Sequence, residues 1–176
     1  MAITFNTADI KFSLRSRVAL RGFMESQIRK FGNSEARKLN LSFVFCSDEY
    51  LLGINRQFLQ HDYYTDIITF PLSDSQEELE AEIYISVDRV RENSLQFAVR
   101  GSQKIPDTGS QEPKHLFQRE LHRVIFHGVL HLLGYKDKTK ANQLEMRKME
   151  DLWLKRFADD GSQLTAVKAK SRKLKK

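Results

Sequence analysis

Cysteine occurs once in the 176 residues, as Cys46. That single thiol excludes an intramolecular disulfide and a four-cysteine zinc site, and it points to a reducing, cytoplasmic setting. No stretch approaches about 18 apolar residues, the length that spans a bilayer. Met1-Ala2-Ile3-Thr4-Phe5-Asn6 has neither the basic start nor the long apolar core of a secretory signal. The expectation is a chain with no membrane partner. Glycine-rich phosphate loops are also missing: there is no GxGxxG, and no GxxxxGK followed by Ser or Thr. Nucleoside-triphosphate chemistry is therefore not expected. No internal repeat is visible, and the length suits one domain able to bury a core without cross-links.

Acidic charge is in deficit. The net charge is +6 and the isoelectric point near 9.4, a balance that favours a polyanionic partner such as RNA. The excess is concentrated in Lys168-Ala-Lys170-Ser-Arg172-Lys173-Leu-Lys175-Lys176, where six of nine residues are basic and none is acidic. Residues 161–176 therefore read as a basic, disordered tail following a domain over 1–160. Lys168, Lys170, Arg172 and Lys173 are candidate RNA contacts, the alternative being a solvated tail that only aids solubility.

Periodicity predicts a strand over Ile3 to Asn6, then a helix from about Ser13 to Phe31 that ends at Gly32-Asn33. Leu39 to Cys46 alternates Leu41, Phe43 and Phe45 against Ser42, Val44 and Cys46, a strand with one strongly apolar face. Ser47 is placed to cap a helix over Asp48 to Phe58. Thr65 to Leu72 and Glu80 to Ser86 read as strands, with Ser73 to Glu80 as their connecting loop. A helix over Asp88 to Ala98 leads into a Gly-, Pro- and Ser-containing segment, Gly101 to Pro113, predicted to be a disordered loop. Pro113 suits the first turn of a helix running to about Leu133. Thr139 is placed to cap a last helix over Lys140 to Phe157, with Met146, Met149, Trp153 and Phe157 on one side. Helices and strands mix without strict alternation, which indicates a single α+β domain with a small mixed sheet packed against helices.

Chemistry concentrates in Val124-Ile-Phe-His127-Gly-Val-Leu-His131-Leu-Leu-Gly134-Tyr-Lys-Asp137. Two histidines four residues apart on a helix project from one face, a turn apart, so both imidazoles can reach one ion. Gly134 falls where the helix should stop, because glycine enters the left-handed conformation cheaply, and the reversed chain can bring Asp137 back. Two nitrogens, one carboxylate oxygen and a position left for water describe a catalytic zinc site, whereas structural sites usually close with four ligands. The alternative for His127 and His131 is hydrogen-bonded core residues, and for Asp137 a solvated loop acid, with Glu145 as reserve ligand. Arg123 and Glu120 continue the polar stripe backwards, as a candidate phosphate contact and a candidate orienter of a ligating histidine. Surface ion pairing is the alternative for both.

His-x3-His-x2-Gly-x2-Asp is similar to the zinc helix of metzincin-like proteases, but those place a Glu as general base where this chain has Gly128. The string HGVLHLLGYKD more closely resembles the signature of the YbeY family, bacterial metal-dependent endoribonucleases linked to ribosomal RNA maturation, usually HGxLHLxGYDH. Ile54-Asn55-Arg56 through Thr65-Asp66-Ile67-Ile68-Thr69-Phe70-Pro71, and Ala81 to Ser86, resemble the family's adjoining helix and strands. The resemblance implies an α+β fold whose metal helix lines a cleft, one bound Zn2+ and ribosomal RNA as substrate, cleaved by hydrolysis of a phosphodiester. The alternatives are a non-catalytic RNA-binding ribosome-assembly factor with a structural metal and, least favoured, a metalloprotease. Three departures stand out. Asp137 replaces the family's third metal histidine, and Leu59 takes the position of its cleft arginine, for which Arg56, His61 or Arg123 are candidate substitutes. Val99 to Lys114 is longer than the pattern needs. For the general base the candidate is His61, beside Asp62 and just before a cleft strand; an exposed loop histidine is its alternative.

Overall fold

Alternating apolar residues decide how the sheet is buried. The structure, a computed structural model, describes residues 2–31, 38–73, 78–100 and 114–173, the side chains of 38, 97–100 and 161–173 excepted. Strands β1 (Ala2–Thr7), β2 (Lys38–Cys46), β3 (Ile67–Pro71) and β4 (Glu78–Ser86) form one mixed sheet in the order β1-β2-β4-β3. β1 and β4 flank β2 in parallel, and β3 closes the edge antiparallel to β4. The register sets Leu41 beside Ala81, Phe43 beside Ile83 and Phe45 beside Ile85, so one face is a continuous apolar surface.

That face is covered by α1 (Arg17–Phe31), α4 (Lys114–Leu132) and α5 (Lys140–Lys173), with Val87 and Val90 of α3 (Val87–Arg100) joining the same core. On the opposite face α2 (Asp48–Leu59) lays Leu51 and Ile54 over Ile68, Phe70 and Tyr84. Cys46 is buried in this smaller cluster. Burial first, and then the charges of Asp9, Asp48 and Asp88, push its thiol up to about 12, which removes it from nucleophilic or metal chemistry. The single α+β domain with a small mixed sheet thus matches the expected class.

Element ends differ from the expected ones for local reasons. Ser16 adopts a left-handed φ of 57°, so α1 opens at Arg17 rather than Ser13. Glu78 to Glu80 pair with β2, so β4 claims residues expected in the connecting loop. Ser47 does cap α2, its side chain accepting from Tyr50 N at 3.2 Å, and Thr139 Oγ1 accepts from Asn142 N at the start of α5. α5 continues to Lys173, past the expected end at Phe157. The expected loop over 101–113 and the side chains of Lys168, Lys170, Arg172 and Lys173 lie outside the described residues.

Two contacts position α4. Phe126 meets Trp153 of α5 edge-on at 5.6 Å and Phe23 of α1 at 5.3 Å, pairs worth about 0.5–1.5 kcal/mol each beyond their burial. On the sheet side Gly128 allows close approach: a β-carbon there would lie 2.8 Å from Ile67 Cδ1 and 3.3 Å from Ile83 Cγ2 and Thr69 Oγ1. Gly128→Val should therefore overpack this seam and destabilise the protein by about 1–3 kcal/mol. Gly22→Ala, at an exposed α1 position with nothing within 4 Å, should instead stabilise by about 0.5–1 kcal/mol. Denaturant unfolding of both variants against wild type checks the pair.

Candidate metal centre

α4 ends in a tight reversal: Tyr135 N–H donates to Leu130 O and Gly134 N–H to His131 O, both at 3.0 Å, with Gly134 at φ 92°. Such a cap satisfies the last carbonyls of the helix and turns the chain back over its own end. The reversal performs two tasks. It sets Tyr135 O 2.9 Å from His131 Nδ1, and it returns Asp137 to the face carrying both imidazoles.

The three expected ligands converge. His127 Nε2 and His131 Nε2 are 2.9 Å apart, and Asp137 Oδ2 is 3.9 Å from the first and 3.6 Å from the second. These three also form a group whose ligand atoms all lie within 4.8 Å of one another. A point equidistant from the three atoms lies about 2 Å from each, the length of a zinc–imidazole or zinc–carboxylate bond. Glu145, the reserve ligand, is exposed and outside the group.

Hydrogen bonding settles which nitrogens face inward. His127 Nδ1 lies 2.7 Å from Glu150 Oε1, and the partners of both Nδ1 atoms, a carboxylate and a backbone carbonyl, only accept. Burial would raise the Glu150 pKa, but bonds from His127 and Arg123 outweigh it and hold the carboxyl below its ordinary value, hence ionised. Each Nδ1 therefore carries the hydrogen and each Nε2 presents a lone pair. Two lone pairs 2.9 Å apart repel unless a cation lies between them, either a proton on one ring or a metal ion. The donor set thus fits a divalent transition metal with three protein ligands.

Glu150 is the residue that sequence reasoning missed. Orientation of a histidine was expected from Glu120, but Glu120 lies two turns before His127, about 10 Å along the axis, and meets Arg123 Nε at 3.5 Å instead. Arg123 is likewise not open to the cleft. Its guanidinium reaches Glu150 Oε2 at 2.9 Å and Asp151 Oδ1 at 3.1 Å, tying α4 to α5 behind the ligands. The available signal was an acid, Glu150, between Met149 and Trp153 on the apolar side of α5.

The ligands open into a cleft of about 910 Å³ between the end of α4 and β3, lined also by Asn55, Leu59, His61, Tyr63 and Asp66. His61 stands on its lip, with Nδ1 3.1 Å from the Tyr63 hydroxyl. Leu59 also lines the cleft, where the resemblance led one to expect an arginine. Arg56 is absent from the lining and pairs with Asp62 at 2.6 Å. Burial pushes the Asp66 carboxyl above its ordinary value, partly offset by its backbone, the His127 charge and an Asn93 Nδ2 bond at 3.2 Å. A carboxyl so placed is able to exchange a proton nearer neutrality than a solvated one.

Fold and centre together define an α+β domain with a candidate three-ligand metal centre in an open cleft. Residues 3–105 and 102–158 match the family described as Endoribonuclease YbeY, the two stretches meeting inside the long segment before α4. Proteins named Endoribonuclease YbeY from Cytophaga hutchinsonii and Flavobacterium psychrophilum are each 41% identical to this chain, covering 88% of it and 96% of their own lengths. One from Amoebophilus asiaticus is 36% identical, covering 86% and 90%. The solution structure of TM1509 from Thermotoga maritima has the same fold, with a TM-score of 0.55 and 22% identity over 92% of this chain and 93% of that one. This chain belongs to the Endoribonuclease YbeY family.

Two outcomes follow for the centre. Glu150→Gln keeps the shape but removes the charge behind His127 and should weaken metal affinity about 10–100-fold, read by competition with a chromogenic chelator. Burial would lower the His127 pKa, but the Glu150 bond and the charges of Glu150, Asp66 and Asp137 raise it above 6.5. A proton on Nε2 excludes the ion, so affinity should be full above that raised value and fall as pH drops through it, earlier than an ordinary histidine would give. Metal titration across the neutral range checks this, with proton release on binding as the second readout.

Proposed function

We propose that this chain is a zinc-dependent endoribonuclease that hydrolyses phosphodiester bonds of ribosomal RNA during its maturation or quality control, in the cytoplasm. The observation that carries this is the convergence of His127 Nε2, His131 Nε2 and Asp137 Oδ2 on one point at the floor of an open cleft, in a chain of the Endoribonuclease YbeY family. When bound there, zinc supplies Lewis acidity that polarises a phosphoryl oxygen and acidifies a water. Glu150 and Tyr135 O hold the imidazoles in the tautomer that ligates, with no reorganisation needed on binding. Asp66 is placed to accept or return a proton within the cleft, and His61 on the lip is the second candidate for that role. Arg56 and the basic residues Lys168, Lys170, Arg172 and Lys173 would add a salt-dependent attraction to the RNA backbone.

A second reading, a non-catalytic RNA-binding assembly factor with a structural metal, has one observation in its favour: among the described residues no Lys or Arg lines the cleft. The metalloprotease reading has none. The position where those enzymes carry their base is Gly128, which faces β3 and β4 rather than the cleft.

Structured ribosomal RNA incubated with wild type, with His131→Ala and with chelator-treated wild type separates these readings. Endonucleolytic cleavage should fall at least about a hundredfold in both altered samples and return when metal is restored to wild type. Equal cleavage by wild type and His131→Ala would mean that the centre is not the nuclease. Binding without cleavage by metal-loaded wild type would favour the assembly factor.

A further inference from the structure

The lip of the cleft carries an aromatic pair whose tyrosine has no part in the metal chemistry proposed above. Tyr63 and His61 stack with ring centroids 5.1 Å apart and planes 22° from parallel, and the Tyr63 hydroxyl meets His61 Nδ1 at 3.1 Å. Both residues line the cleft that holds the metal ligands, yet Tyr63 is 57% exposed. An apolar ring left in water at the mouth of a site has its free face available to a ligand. Among the described residues no other ring and no cation covers that face.

The pair is displayed rigidly. α2 ends at Gln60 in the left-handed conformation, and the backbone N–H groups of Gln60 and His61 both donate to Asn55 O. Buried Asn55 reaches forward with its side chain, Nδ2 donating to Tyr63 O at 2.9 Å. Arg56 and Asp62 form an exposed 2.6 Å ion pair on the outer side of the loop. A ring held this way loses little freedom on binding, which is what makes a preorganised aromatic effective.

The chemistry of the walls identifies the ligand. Among the described residues the cleft is lined by four carboxylates, Asp66, Glu78, Glu80 and Asp137, and by no Lys or Arg. Beside a bound metal these walls add no positive charge of their own for a phosphate, so a nucleotide gains from a grip on its uncharged part. Stacking is that grip: a base has a flat π-face, and aromatic platforms bind single-stranded nucleic acid this way with little sequence preference. Resting on the endoribonuclease reading above, we infer that the Tyr63–His61 pair is a stacking platform for an unpaired nucleobase of the RNA substrate, placing the neighbouring phosphodiester over the metal ligands. The base gripped in this way has to be unpaired, because a base within a duplex cannot expose its face.

The test uses the metal-loaded full chain and a single-stranded oligoribonucleotide, with kcat and KM measured separately. Tyr63→Ala should raise KM roughly tenfold or more while leaving kcat within a few-fold. Tyr63→Phe should retain the wild-type KM, since the ring remains while its hydroxyl bond to His61 is lost, and Tyr63→Leu should behave as alanine. Thermal unfolding of each variant confirms that this exposed position leaves the fold intact. A series of the same oligonucleotide carrying one abasic site should show one position at which wild type loses affinity and Tyr63→Ala does not. Unchanged KM in Tyr63→Ala, or failure of Tyr63→Phe alongside it, overturns the platform while leaving the nuclease in place. Wild type that cuts structured ribosomal RNA but no oligoribonucleotide overturns the platform alone, and wild type that cuts neither overturns the endoribonuclease reading and the platform with it.

Discussion

A buried carboxylate behind an imidazole is the constraint on which the centre depends. Glu150 is 6% exposed and shares its two oxygens between His127 Nδ1 at 2.7 Å and Arg123 Nη1 at 2.9 Å. Burying a charge is costly unless it is paired, and here both partners come from α4. The cost is offset only when α4 and α5 dock in one register, so the same contact that fixes the histidine tautomer also reports correct helix packing. Removing either partner would leave one oxygen of this buried carboxylate without its bond.

Apolar packing brings those groups together. Phe126 precedes His127 and Trp153 follows Glu150 by one helical turn, and the two rings meet at 5.6 Å. The aromatic contact and the polar contact therefore lie side by side across the α4–α5 seam, and the first sets the distance available to the second. On its other side α4 approaches the sheet at Gly128, where no side chain intervenes. The metal helix is thus located from two directions, by bulk toward α5 and by its absence toward β3 and β4.

The lip follows a different logic. Its loop is built almost wholly on Asn55, whose backbone and side chain both bond to residues beyond the helix end. That economy leaves the Tyr63 ring free of structural duties and exposed beside the ligands. A floor carrying the candidate metal ligands and an aromatic rim give the cleft two chemically distinct halves, suited to the two halves of a nucleotide.

Much of the centre was legible from the chain alone because its determinants are local. A spacing of four on a helix compels two side chains to share a face, and Gly134 supplies the left-handed residue that returns Asp137 within a few positions; both follow from backbone geometry over eleven residues. Strand alternation in β2 and β4 likewise announced which face would be buried. Glu150, by contrast, lies 23 residues from His127, and its choice over Glu120 was made by the docking of α5. The ion pairs that turn Arg123 away from the cleft, the seam at Gly128 and the exposure of Tyr63 have the same origin. Local spacing decides which groups a helix or turn presents, but which distant group meets them depends on how side-chain volumes pack, and that is a property of the folded whole.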